Sequence, residues 1–109
     1  MESKQYEYLL TLNAENDIDE AFGYIAEELS NPGAAESFAD ALEEKLEELC
    51  RTPKLGREVN NDFLRRDDVR MVHVKNYLLY YLIDEEDEKI VVLNVVYSGR
   101  DQDEILKNI

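Results

Sequence analysis

The stretch Val69-Arg70-Met71-Val72-His73-Val74-Lys75-Asn76-Tyr77-Leu78-Leu79-Tyr80-Tyr81-Leu82-Ile83 decides the fold. Val69 to Lys75 and Tyr77 to Ile83 are dense in β-branched, aromatic and large apolar residues, and polar Lys75-Asn76 lies between them. That pattern predicts two antiparallel strands joined by a tight turn. Along the second strand Tyr77, Leu79, Tyr81 and Ile83 share one face, and Leu78, Tyr80 and Leu82 share the other. A strand apolar on both faces is central and covered twice. Downstream, Asp84-Glu85-Glu86-Asp87-Glu88 reads as a turn. Ile90 to Ser98 reads as a third strand, apolar on both faces except at Asn94.

Upstream of this meander the period changes. Tyr6 to Leu12 is rich in strand formers and predicts a first strand. Asn13 can cap a helix, with Glu15, Asp17 and Asp19 suited to its positive end. Ile18, Phe22, Ile25 and Leu29 then recur on one helical face. Gly23, inside that helix, costs roughly 1 kcal/mol against alanine unless a neighbour packs closely there. Asn31-Pro32 starts a second helix, with Asn31 as its cap and Pro32 at the first helical position. Phe38, Leu42, Leu46 and Leu49 form its apolar stripe, and Glu43, Glu44, Glu47 and Glu48 its outer face. Thr52-Pro53 stops it after Cys50. The short link predicts an antiparallel helix hairpin. Lys54 to Asp67 has no clean period and reads as a basic, irregular loop.

The predicted order is β-α-α-β-β-β. It describes a two-layer α+β fold with the hairpin packed on an antiparallel-rich sheet and a short C-terminal helix. Two helices cover one sheet face. The other requires the tail, Asp101 to Ile109, or a partner, so Leu78, Tyr80 and Leu82 are predicted as a partner-binding strip.

Composition narrows the function. The 109 residues form one domain, and 44% hydrophobic content is enough for a core despite 35% charged residues. No apolar run approaches the ~18 residues of a membrane span. The N-terminus lacks a secretion pattern, so the expected location is cytoplasmic. One cysteine, Cys50, and one histidine, His73, exclude an internal disulfide and the usual zinc clusters; no cofactor is expected. The net charge is −14, which opposes long-range attraction to nucleic acid. The charge is uneven: residues 1–50 hold 14 acidic and 2 basic side chains, whereas residues 51–83 hold 7 basic and 4 acidic.

Several stretches together resemble the RelE/ParE superfamily of toxins from bacterial type II toxin–antitoxin systems. These are Tyr24-Ile25, Asn31-Pro32-Gly33-Ala34-Ala35, Leu49 with Pro53 and Gly56, and Val69-Arg70-Met71-Val72. Lys75-Asn76-Tyr77-Leu78-Leu79-Tyr80-Tyr81 leading into Asp84 and Val95-Val96-Tyr97-Ser98-Gly99-Arg100-Asp101 complete the set. The resemblance spans nearly the whole chain, residues 1–109 as one toxin domain. It implies a toxin held in check by a bound antitoxin, with roles in addiction, plasmid stabilisation and growth inhibition. RelE-like members resemble metal-free ribonucleases that cut messenger RNA on the ribosome; ParE-like members look like DNA gyrase inhibitors without catalysis. A non-toxic interaction module is a third reading, and the free chain can also be a homodimer.

Metal-free RNA cleavage needs an activated 2′-hydroxyl and cationic groups around the scissile phosphate. The resemblance carries this to Arg70, Tyr97 and Arg100. It also places Leu78 where the nuclease branch has an arginine, which favours the ParE-like or catalytically weakened reading. Losing one preorganised charge-stabilising donor costs ~2.7–4 kcal/mol of barrier. Each residue also has a plain structural role. Arg70 can pair with Asp67 or Asp68, His73 can be a half-buried strand residue, and Tyr97 can pack on the sheet. Asp101 after Arg100 can cap the tail helix, and Cys50 can simply pack at a helix end.

Overall fold

The computed structural model describes residues 5–28 and 30–109. In chain order the elements begin with β1 (Glu7–Leu10), α1 (Leu12–Gly23), a π-helical turn (Tyr24–Glu28) and α2 (Pro32–Arg51). A 3₁₀ turn (Pro53–Leu55), β2 (Arg57–Glu58), β3 (Val69–Val74), β4 (Tyr77–Asp84), β5 (Lys89–Tyr97) and α3 (Gln102–Lys107) follow. The sheet order is β1-β5-β4-β3-β2. β4 is the middle strand, as its two apolar faces require. β1 runs parallel to β5; the other pairings are antiparallel.

Both faces of β4 are buried, each in its own cluster. Toward the helices, Leu79 and Tyr81 pack with Phe38, Leu42, Leu46 and Leu49 of α2 and with Val72, Val74 and Val92 of the sheet. On the opposite face, Leu78 and Tyr80 pack with Val69, Met71, Val96 and Leu106 of α3, and with Leu64 from the loop before β3. The Tyr80 hydroxyl donates to Gln102 of α3 at 2.7 Å, pinning the tail. Over Leu78 and Tyr80 the chain's own tail supplies a cover; Leu82 remains half-buried.

The helices start and stop for identifiable reasons. Asn31 caps α2 by accepting from the Ala34 N–H at 3.1 Å, with Pro32 at the first helical position. Asp101 caps α3 through the N–H groups of Asp103 and Glu104. The cap of α1 is Thr11, not Asn13, and β1 ends at Leu10 instead of Leu12. The Thr11 hydroxyl accepts from the Ala14 N–H and donates to the Leu93 carbonyl, so it closes the helix and ties it to β5 at once. Asn13 is exposed. The first helix changes from α to π winding after Gly23, and no atom lies within 4 Å of a Cβ placed on that glycine. Leu29, expected on the apolar face of this helix, lies outside the described residues.

The Lys54–Asp67 segment holds more structure than its irregular pattern suggests, namely the 3₁₀ turn and β2. β2 pairs only with Arg70 and Met71 of β3. His73 lies beyond the end of that short edge strand, and it is exposed rather than half-buried.

Candidate functional site

A groove of about 820 Å³ lies between the C-terminal half of α1, the start of α2, the β3–β4 turn and the end of β5. An aromatic ladder crosses it. The Phe38 and Tyr77 rings lie 4.9 Å apart and tilted by 49°, and Tyr77 meets Tyr97 edge-on at 5.8 Å. Phe38 is placed by the Asn31-Pro32 start of α2, and Tyr77 and Tyr97 are direct partners across β4 and β5. Burial, together with the nearby Tyr24 and Tyr97 hydroxyls and the Glu20 carboxylate, pushes the Tyr77 hydroxyl above its ordinary pKa and keeps it protonated.

Two cationic residues, Lys75 and Arg100, line the same groove. Lys75 sits in the two-residue β3–β4 turn with φ 55, a left-handed conformation that costs a non-glycine residue energy. Arg100 follows a tight turn closed by its own N–H donating to the Tyr97 carbonyl at 3.1 Å. The turn depends on Gly99, because a Cβ there would lie 2.5 Å from the Tyr97 ring. On the α1 wall, Asp17 accepts from the Val95 N–H at 2.9 Å and the Asn94 amide at 3.0 Å. These bonds secure the bulge where the β4–β5 register shifts next to Tyr80 and Tyr81.

The structure brings Tyr97 and Arg100 together in this groove and places Arg70 elsewhere. Arg70 pairs with Tyr81 in the β3–β4 register, four residues along from the row that joins Tyr77 to Tyr97. That is roughly 13 Å along the strands, before the lateral offset from β3 to β5 is added. Its guanidinium donates to the Gly56 carbonyl at 2.6 Å and meets Glu58 at 3.4 Å. Neither Asp67 nor Asp68 is its partner. Asp68 instead pairs with Arg66 at 2.6 Å, which lowers the aspartate pKa and raises that of the arginine. Leu78 lies on the sheet face opposite the ladder, 7% exposed in the cluster with Leu106. Cys50 is buried, which pushes its thiol pKa up.

Sequence reasoning did not assemble this groove. Tyr97 and Arg100 are close in the chain and were found together; Tyr24 and Phe38 reach it from two helices, and no local signal links them. Among the described residues no group of His, Cys, Asp or Glu is arranged to hold a metal ion, and no helix is long and apolar enough to cross a membrane.

The α+β layout with a central meander is shared with two solved toxin–antitoxin systems. One is the toxin–antitoxin complex RelBE2 from Mycobacterium tuberculosis, with TM-score 0.62 and 21% identity over 85% of this chain and 98% of that one. The other is the chromosomal ParDE system from P. aeruginosa, with TM-score 0.67 and 15% identity over 87% of this chain and 98% of that one. At these identities the likeness is one of fold. By sequence, residues 8–102 match the family of ParE toxins of type II toxin–antitoxin systems, parDE, and the chain belongs to that family. No curated protein matches it by sequence.

Proposed function

We propose that this ParE-family toxin acts by binding rather than by cutting RNA, with DNA gyrase as its target and a cognate antitoxin that neutralises it by direct contact in the cytoplasm. The observation that carries the reading is the scatter of the nuclease candidates. A metal-free ribonuclease must surround one phosphate with its cationic groups. Here Arg70 is held by the Gly56 carbonyl and Glu58, far from Tyr97 and Arg100. Leu78 is under the tail helix on the opposite face. The −14 charge also opposes docking on ribosomal RNA.

One observation favours a second reading, ribosome-dependent cleavage of messenger RNA. Tyr97, Lys75 and Arg100 share one groove, which offers an aromatic platform beside two cations. Induced expression without antitoxin tests the toxin reading through growth arrest. Accumulation of gyrase-linked DNA breaks then supports the binding mechanism, whereas messages cut in the decoding site support the nuclease. Normal growth on full expression of folded protein would leave a non-toxic interaction module and overturn the proposal.

A further inference from the structure

The helix hairpin carries a second concavity, distinct from the aromatic groove. Between β1, α1 and α2 an apolar slot of about 190 Å³ is lined by Tyr8, Leu10, Ile18, Phe22, Leu42 and Leu46, with Glu43 on its lip. That volume suits one large apolar side chain. Tyr8 and Phe22 are 44% and 43% exposed, so the slot opens to solvent through aromatic residues. β1 alongside is an edge strand: it is hydrogen-bonded to β5 on one side, and among the described residues no strand pairs with its other side. Leu9 on this strand and Leu12 at the start of α1 are 54% and 71% exposed. An edge strand flanked by exposed apolar residues is a surface that proteins ordinarily cover.

The charge around the slot selects what covers it. Helical periodicity sets Glu15 beside Ile18 and Phe22 on α1, and Glu36 and Glu47 beside Glu43 on α2; all four glutamates are exposed. Among the described residues no lysine or arginine lines the slot. Lys45 of α2 is engaged with Glu48 at 3.0 Å. A second copy of this chain would set these carboxylate rows against each other, and an acidic segment would meet the same repulsion.

We infer that the slot and the outer edge of β1 receive a basic amphipathic segment of the antitoxin. One large apolar side chain enters between Tyr8 and Phe22, and lysines or arginines reach Glu15, Glu43 and Glu47. This rests on the toxin–antitoxin reading above and adds the partner's chemistry: in this pair the toxin is the acidic member.

The test titrates the full chain with a synthetic amphipathic peptide of leucines with lysines and arginines. Two controls accompany it, one with the leucines replaced by serine and one with the basic residues replaced by glutamate. The basic peptide is expected to bind with an affinity that falls as salt rises. Both controls, and both Phe22→Ser and the double variant Glu43→Lys with Glu47→Lys, should weaken binding about tenfold or more. These are exposed positions, and circular dichroism verifies that the variants are folded. Equal binding of the acidic peptide, or indifference to the charge reversal, overturns the inference. So does a stable homodimer in light scattering that Phe22→Ser dissolves. In cells, an antitoxin that rescues growth from the charge-reversed variant as well as from wild type overturns this inference and leaves the toxin reading intact. Absence of growth arrest overturns the toxin reading, while the peptide titration still decides the surface.

Discussion

The hydroxyl of Tyr81, on the central strand, accepts a hydrogen bond from the Gly56 N–H at 2.9 Å and donates to the Pro53 carbonyl at 2.6 Å. Tyr81 is fully buried, so this one oxygen fastens the turn after α2 to the core. Burial pushes its pKa up. Tyr81→Phe leaves a buried donor and acceptor unpaired, and is expected to cost about 1–3 kcal/mol in chemical denaturation. Gly56→Ala should cost as much or more. Its Cβ would lie 2.6 Å from the Tyr81 oxygen and 2.9 Å from the Met71 carbonyl, and the backbone atom cannot yield cheaply. The double variant should fall short of the sum, because both substitutions break the same contact.

Asp17 performs the equivalent task between α1 and β5. Asp17→Ala removes the acceptor for the Val95 N–H and the Asn94 amide, beside the bulge at Leu93, which the β4–β5 register skips. A loss of about 1–3 kcal/mol is expected. Hydrogen exchange should locate it, with faster exchange at Val95 and little change at the β3–β4 pairing.

Gly23→Ala is expected to stabilise. The position is helical, its φ is not positive, and a Cβ there meets nothing within 4 Å. The gain should be about 0.4–1 kcal/mol, read as a raised Tm. A fall in Tm would mean that the change from α to π winding after Gly23 needs the glycine.

Cys50 gives a pH-dependent prediction. Its raised pKa means that the folded state holds the thiol proton more tightly than the unfolded chain does. Stability from this group is therefore constant below about pH 8.5 and falls as pH climbs toward the elevated native value. A thiol reagent should label the native protein slowly at neutral pH, at a rate that follows unfolding. Cys50→Ala should flatten the alkaline decline. Rapid labelling of the folded protein would contradict the burial.

What was legible in the sequence was what depends on period and on near neighbours. Alternation gave β4 its two faces and its central place, and Asn31-Pro32 and Asp101 announced their helices locally. Thr11 and Asn13 are both competent caps by chemistry. Thr11 prevails because its hydroxyl also reaches Leu93, 82 residues away in sequence, a contact no local pattern encodes. The same holds at the candidate site. Arg70 was legible as a cation opening a strand, but its partners are carbonyls and Glu58 in a segment without periodicity, so its neighbourhood had to be seen. Two apolar faces on one strand ask for two covers, and the tail that packs over Leu78 and Tyr80 is one of the two that this pattern allows.

The sharpest prediction concerns RNA cleavage. For the wild-type chain on a translating message, primer extension is expected to show no decoding-site cuts. Tyr97 and Arg100 sit at one end of the sheet, while Arg70 is spent on Gly56 and Glu58 at the other, so the developing phosphorane charge is met from one side only. Arg70→Ala should then act on stability, by loosening the Gly56 turn, and leave toxicity per folded molecule unchanged. Leu78→Arg should not create a nuclease, although it restores the residue type of the nuclease branch. Leu78 faces away from Tyr97 into the cluster with Val96 and Leu106, so an arginine there would be a buried charge without a partner, costing about 3–5 kcal/mol or expelling α3. Clean cuts by the wild type that vanish with Arg70→Ala in a folded protein would make this chain an enzyme. They would require Arg70 to leave the Gly56 carbonyl on the ribosome and cross the roughly 13 Å that separates it along the sheet from Tyr97.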